Sequence, residues 1–272
     1  MLRDKLLARL KDTRDAPNYQ RLAAEVLGIR GAPPDLARRL VAQALVIEDR
    51  REVWRRAGRR ICADAPPAPG VYTLRDPDGH ALYVGKAVNL RRRLRAHFAE
   101  RRWRAIKPEL SRVADAEWIE VGSELEALLR EADLIDVLQP LVNVQTGPPE
   151  LSTRGVPRAL VRDVIVVVPS VEQDSAELVG ARVDGGWFIQ RTRRSGADLP
   201  VHTNRLLRFF RSPLRRGFNE SRLAPIVFSW LAGRGARATR LDPDASARGL
   251  RSRLAAVLRD EQLFVERVEQ LR

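Results

Sequence analysis

The sequence predicts a multidomain chain of α/β and α+β class, with a helical segment over 1–63, a small α/β unit over 64–147 and an α+β segment over 148–272. Three observations carry this division. Proline-rich joints interrupt the chain at Ala63 to Gly70 ("ADAPPAPG") and at Thr146 to Glu150 ("TGPPE"). Before the first joint the apolar residues recur at helical spacing, whereas between the joints two short apolar runs are linked by turn residues. Beyond the second joint three more strand-like runs precede helical ones. With 272 residues and 44% hydrophobic content, the chain has enough apolar surface for several cores.

In the first segment "MLRDKLLARL", "NYQRLAAEVLGI" and "PPDLARRLVAQALVIE" read as helices, with Gly31-Ala32-Pro33-Pro34 breaking the last two apart. The segment ends in "REVWRRAGRRIC". There Val53 and Trp54 precede Ala57-Gly58 and Ile61 follows, the pattern of a short two-stranded wing, so the segment is expected to be a winged-helix module or a helical cap with a solvated arginine face. In the middle segment "GVYTLRD" and "HALYVGK" are joined by Asp76-Pro77-Asp78-Gly79, strong hairpin chemistry. "NLRRRLRAHF" follows as a helix with Leu90, Leu94 and Phe98 on one stripe. "AEWIEVG" is the third strand, and Ser123 with Glu126 forms a capping box for the helix "ELEALLREADLIDVL". In the last segment "RDVIVVV", "AELVGARV" and "GWFIQRT" predict an antiparallel meander. Helices follow near Thr203 to Ser212, Arg222 to Gly233 and Ala245 to Leu271.

The charge balance narrows the partner. Lys+Arg number 49 against 35 Asp+Glu, a formal charge of +14, which favours a polyanion and nucleic acid first. A membrane is not expected, because no run approaches the length of a transmembrane helix and the N-terminus is charged throughout with no apolar signal core; a cytoplasmic, nucleoid-associated location is the matching expectation. One cysteine, Cys62, excludes an internal disulfide framework and a cysteine-based metal site, and three histidines make an all-histidine site unexpected. Only four bases are lysines (Lys5, Lys11, Lys86 and Lys107). Lys86 stands out among them because an ammonium can lose its proton in a perturbed site and a guanidinium cannot.

Chemistry concentrates in the middle segment. On the wheel of the helix Glu124 to Leu138, Leu128, Ala132, Ile135 and Leu138 form the core stripe and Glu131 falls inside it. A buried carboxylate is costly unless paired or bound to a cation, so Glu131 reads as a metal ligand, as an acid at the stripe's edge, or as one paired with an arginine. Arg93 and His97 lie one turn apart beside the Leu90, Leu94 and Phe98 stripe, placed either to hold a phosphate or to snorkel around a helix edge. Tyr72 and Tyr83 take matching places on the two hairpin strands, as cross-strand packing or as phenols for a site. Phosphodiester hydrolysis needs a base for water, a cation on the non-bridging oxygen and a stabiliser of the departing oxyanion, and this set contains a candidate for each. From Lys86 to Lys107 nine basic residues, among them Arg91, Arg92, Arg95, Arg101, Arg102, Arg104 and Lys107, face one acid, Glu100, so contact with a nucleic-acid backbone is expected there. Trp103 within that run is placed to stack on a base or to pack in a core.

"PGVYTLRDPDGHALYVGKAVNLRRRLRAHF" followed by "ELEALLREADLIDVLQPLVNV" resembles the GIY-YIG nuclease superfamily, and within it the N-terminal catalytic domain of the excision-repair endonuclease UvrC and the Cho nucleases, over about Pro69 to Val144. The resemblance implies a small α/β domain with a three-stranded antiparallel sheet and a metal-dependent endonuclease that nicks damaged or distorted duplex DNA in nucleotide excision repair, with a damage-recognition protein as partner. It implies that Tyr72 and Tyr83 are the signature tyrosines, one of them activating water, with Lys86 tuning that phenol. Arg93 would bind the scissile phosphate and Glu131 would hold one divalent ion, Mg²⁺ or Mn²⁺. Asn143 would be structural or site-lining, Gly70 begins the first tripeptide, and Gly85 would let the backbone approach closely. His97 stands where tyrosine is usual, and Asp136 where the family tends to be basic; retained activity with an altered pH profile and one weaker DNA contact are the expectations. The further nuclease and DNA-binding modules of such proteins are not recognisable after Val144, so a single incision is expected. A second basic tract from Arg191 to Arg222 would supply another DNA-contacting surface. A sequence-specific nuclease of a mobile or defence system, and a DNA-binding protein with a vestigial nuclease fold, are the alternatives.

Overall fold

The computed structural model describes residues 2–11, 17–49, 51–99, 108–146, 153–211, 223–261 and 263. They form helices α1 (Leu2–Lys11), α2 (Tyr19–Val26), α3 (Pro34–Asp49) and α4 (Arg51–Asp64), then β1 (Gly70–Arg75), β2 (Ala81–Ala87), α5 (Leu90–Ala99), a 3-10 turn (Pro108–Arg112), β3 (Asp115–Glu120), α6 (Glu124–Leu138) and α7 (Leu141–Thr146). After these come β4 (Val164–Pro169), β5 (Ser175–Ala181), β6 (Trp187–Arg193), α8 (Leu199–Arg211), α9 (Ala224–Ala232), β7 (Thr239–Leu241) and α10 (Ala247–Arg259). A three-stranded antiparallel sheet runs in the order β2-β1-β3 and a four-stranded one in the order β6-β5-β4-β7. The chain packs as two compact units, one of Met1–Ala65, Leu74–Tyr83 and Arg91–Glu117, the other of Pro66–Thr73, Val84–Leu90 and Trp118–Arg272.

In the first unit, α1 to α3 close over Leu6, Leu22, Ala23, Ala37 and Val41, with Asn18 capping α2 by accepting from the Arg21 backbone N–H. The expected wing is absent: "REVWRRAGRRICAD" is one helix, α4. Trp54, Ala57, Ile61 and Ala65 are buried at helical spacing, and Val53, needed inside a wing, is 56% exposed. Gly58 marks a close approach instead of a turn, because a Cβ there would lie 2.6 Å from the Phe98 ring of α5. The β1–β2 turn is held by Asp76, whose Oδ1 accepts from the backbone N–H groups of Asp78 (3.0 Å) and His80 (2.9 Å) and whose Oδ2 accepts from Arg112 (2.6 Å). Burial pushes this carboxyl up, but those donors outweigh it and hold Asp76 below its ordinary value.

In the second unit β4, β5 and β6 form the expected meander, with Val164 opposite Ala181 and Ala181 opposite Trp187. Alternate residues serve two cores. Val164, Val166, Val168, Val179 and Trp187 pack with α9 and with Leu125, Leu129 and Ala132 of α6. Ile165, Val167, Leu178 and Phe188 pack with Leu206, Leu207 and Phe209 of α8 and Leu250, Leu254 and Leu258 of α10. The other flank of α6, through Ala127, Leu134, Ile135 and Leu138, packs with Val71, Val84 and Val121. Thus α6 is apolar on two sides, wider than the single stripe expected. Strand β7, pairing with β4, was not foreseen. α8 begins four residues before the predicted start, and α10 stops at Arg259, where Asp260 is extended.

Candidate active site

Glu131 projects from α6 with its side chain 21% exposed, and both of its oxygens are engaged by one residue. Oε1 accepts from the Lys86 backbone N–H at 3.0 Å, and Oε2 sits 2.8 Å from Lys86 Nζ. The basic side chain facing this carboxylate is a lysine forty-five residues away, where the pairing expected was with an arginine. A capping bond from the Glu126 backbone N–H to Ser123 Oγ sets the start of α6 (3.2 Å), and the helix then carries Glu131 to β2. Glu126 itself, wholly buried, accepts from Gly122 N–H and from Arg130 Nε, so the capping box turns its carboxylate inward.

Asn143 fixes the strand just before Lys86. Its Oδ1 accepts from Val84 N–H at 2.8 Å and its Nδ2 donates to Val84 C=O at 3.0 Å, replacing a neighbouring strand for that one residue. Of the two roles open for it, bracing β2 is the one the hydrogen bonds display. Gly85 is buried between these two anchors. Gly70 is a site of close approach, where a Cβ would lie 2.6 Å from Ile119 C=O and from Leu90 Cδ1. Tyr72 on β1 is fully buried.

In the other unit, Tyr83 is half-buried and meets His97 edge to face, with ring centroids 6.1 Å apart. His97 is only 2% exposed, more enclosed than a group flanking the helix edge would be. Arg93, one turn earlier on α5, is exposed, as are Arg92 and Arg95. Arg91 is half-buried and donates through Nε to Ala65 C=O at 2.7 Å, so part of its expected DNA-binding capacity is used to brace the helix. Arg101, Arg102, Trp103, Arg104 and Lys107 lie outside the described residues.

Asp76, Asp78 and His80 offer ligand atoms within 4.8 Å of one another. The Asp76 oxygens already serve the turn and Arg112, so this grouping is turn architecture. In the second basic tract, Arg191 pairs with Glu177 and Glu172 and is committed to the fold, Arg194 makes long contacts with Asp174 and Glu261, and Arg193, Arg205, Arg208 and Arg211 are exposed, Arg205 lying over the Phe188 ring. Arg215, Arg216 and Arg222 lie outside the described residues. No helix among the described residues is long and apolar enough to cross a membrane.

Within the segment that carries the hairpin, the arginine helix and Glu131, residues 68–144 match the family model of the UvrC-like GIY-YIG domain. Among similar proteins are "UvrABC system protein C" of Thermoanaerobacter sp. (strain X514), 44% identical over 81 residues, and that of Caldicellulosiruptor saccharolyticus, 33% identical over 133 residues. The first alignment covers 29% of this chain and 13% of the relative, the second 45% and 21%, so the chain spans a small part of the relatives it matches. A solved structure, the GIY-YIG N-terminal endonuclease domain of UvrC from Thermotoga maritima bound to magnesium as its catalytic divalent cation, is 32% identical over 32% of this chain and 94% of that one, with a TM-score of 0.29.

Proposed function

We propose that this chain is a metal-dependent DNA endonuclease that nicks one strand of damaged or distorted duplex by hydrolysing a phosphodiester bond. The observation that carries the reading is Glu131, a partly exposed carboxylate presented to a cation by the Lys86 backbone within the matched segment. The donor set suits a hard divalent ion: Mg²⁺ commonly takes one or two carboxylates and keeps its remaining waters, and Glu131 already neutralises an ammonium. Bound there, Mg²⁺ or Mn²⁺ would supply Lewis acidity to the phosphoryl group and the departing oxygen.

The chain's own residues supply the rest. Arg93 donates to the non-bridging oxygens of the scissile phosphate, and its exposure leaves it accessible to them. One of the phenols of Tyr72 and Tyr83 takes a proton from the attacking water, with the Lys86 ammonium lowering the cost of the phenolate. His97, enclosed against Tyr83, holds that ring in place and is a positioning residue. The name of the relatives describes one component of a system, and a damage-recognition protein is the matching partner.

The test is cleavage of a labelled duplex carrying one bulky lesion against its undamaged twin, with Mn²⁺, comparing wild type with Glu131→Ala and Tyr72→Phe. Lesion-dependent nicking lost in both variants supports the reading. Cutting of undamaged DNA at one defined site would select a sequence-specific nuclease. Salt-sensitive binding without turnover, on every duplex and with added repair proteins, would select a binding protein and end the enzymatic reading.

A further inference from the structure

Helix α4 was expected to be a wing and is a partner of the arginine helix along its whole length. The Trp54 and Phe98 rings lie 4.6 Å apart, Gly58 receives the same Phe98, Cys62 feels the charge of Arg95, and the Ala65 carbonyl accepts from Arg91. Residue numbers rise on α4 as they fall on α5, so the two helices run antiparallel.

Helical spacing then orders the surface of the pair. On α4 the buried stripe is Trp54, Ala57, Gly58 and Ile61, and Arg55, Arg59 and Cys62 share one flank of it; Arg60 leaves by the opposite flank to bond Ala114 C=O and Asp115. On α5, Phe98 and Arg91 face α4, Arg95 lies just outside them, Arg92 lies on the outer face, and Arg93 with His97 takes the far flank. With α4 held against α5 through Trp54, Phe98 and Arg91, and with Arg60 turned toward Ala114 and Asp115 on one flank, the opposite flank with Arg55 and Arg59 lies on the Arg95 side of α5, whose charge Cys62 feels. Exposed arginines therefore run from Arg93 across the outside of α5 and onto α4. Among the described residues, Glu52 is an acid beside this flank, and its contact with Arg59 at 3.6 Å is largely exposed and weak.

The geometry points to α4 as a second phosphate-binding rail, in which Arg55 and Arg59 grip the backbone of the duplex flanking the phosphate held at Arg93. The ligand rests on the endonuclease reading above. Arg55 and Arg59 stand one turn apart, about 6 Å along the axis, close enough for both to reach phosphates of one strand. The planar guanidinium fork is preorganised, so less freedom is lost per hydrogen bond to a phosphate. The 1–63 segment thereby acquires a role as an extension of the nuclease's DNA track instead of an independent reader of sequence.

The experiment uses the full chain in chelator, so that no turnover occurs, and measures duplex affinity against salt by fluorescence anisotropy. Arg55→Gln/Arg59→Gln keeps the aliphatic stems and removes two charges. It should reduce the slope of log affinity against log salt by about 2, while Arg55→Lys/Arg59→Lys should restore it. A control, Arg30→Gln/Arg39→Gln, removes the same charge from other exposed sites and should leave the slope unchanged. Equal slopes in wild type and the α4 variant, or an equal loss in the control, would overturn the rail; so would a defect confined to binding of phosphatidylcholine/phosphatidylserine vesicles, or wild type that binds no duplex. If the slope falls as expected yet wild type cleaves nothing with Mg²⁺ or Mn²⁺, the rail stands and the nuclease reading fails.

Discussion

Glu131 and Glu177 are both carboxylates paired with bases, yet they do opposite work. Glu131 lies at the surface of the matched segment, its side chain 21% exposed, with one lysine, itself 39% exposed, as its charged partner. Glu177, on β5, is 2% exposed and receives bonds from Ser170 Oγ at 2.8 Å and Arg191 Nε at 2.7 Å, with Glu172 as a further partner of Arg191. A flexible ammonium can swing away and leave Glu131 to another cation. Nothing of that kind can reach Glu177 without opening the sheet. Exposure and the exchangeability of the partner, more than the presence of a buried charge, separate the candidate site from the scaffold.

The comparison is sharpest under truncation. Glu131→Ala should lower the metal-dependent nicking rate by about 10²-fold or more, while the denaturant midpoint moves little, since a partly exposed pair contributes only about 0–1 kcal/mol. Glu177→Ala should do the reverse, losing about 2–3 kcal/mol from an unsatisfied hydroxyl and a cavity, with nicking per folded molecule retained. Urea unfolding and a single-turnover cleavage assay read both effects. Equal stability losses for the two variants would erase the distinction.

Asn143 sits between these extremes, near the site but structural in its bonds. Asn143→Ala leaves Val84 N–H and C=O without their side-chain partner, and a cost of about 1–2 kcal/mol is expected. Protection of the Val84 amide from hydrogen exchange should fall with it. Unchanged protection would mean that β2 holds Lys86 without the asparagine.

What could be read in advance follows the range of the interactions. Every strand of the hairpin and the meander was legible, because strand patterning and turn chemistry such as that at Asp76 to Gly79 act over a few residues. The start of α6 was legible for the same reason, through Ser123 and Glu126. Gly58 misled because a glycine needed for helix contact and a glycine needed for a turn look alike until the Phe98 ring is in view. The period of Trp54, Ala57, Ile61 and Ala65 held the correct answer. Lys86 and Glu131 were each visible as unusual residues, but their bond joins positions that only tertiary packing brings together. For α6 the wheel showed one stripe, where packing against two sheets uses two, a fact carried by the valines of β4 and not by α6 itself.

The smallest effect concerns pH, and it belongs to Glu177. Burial raises the Glu177 carboxyl, with repulsion from Glu126 adding to it; the bonds from Arg191 and Ser170 oppose this, and the balance leaves Glu177 above its ordinary value. The folded state then binds its proton more tightly than the unfolded chain. Between the ordinary glutamate value, about 4.3, and the raised folded one, the native protein holds more protons, so the contribution of Glu177 to stability is full below that window and declines as pH rises through it. Glu177→Gln cannot titrate and keeps a neutral partner for Ser170. Its melting temperature relative to wild type should climb as pH is raised from about 4 toward neutrality. A difference that stays flat, or a wild type that gains on the variant as pH rises, would show that Arg191 dominates and that the buried carboxylate is ionised at no net cost.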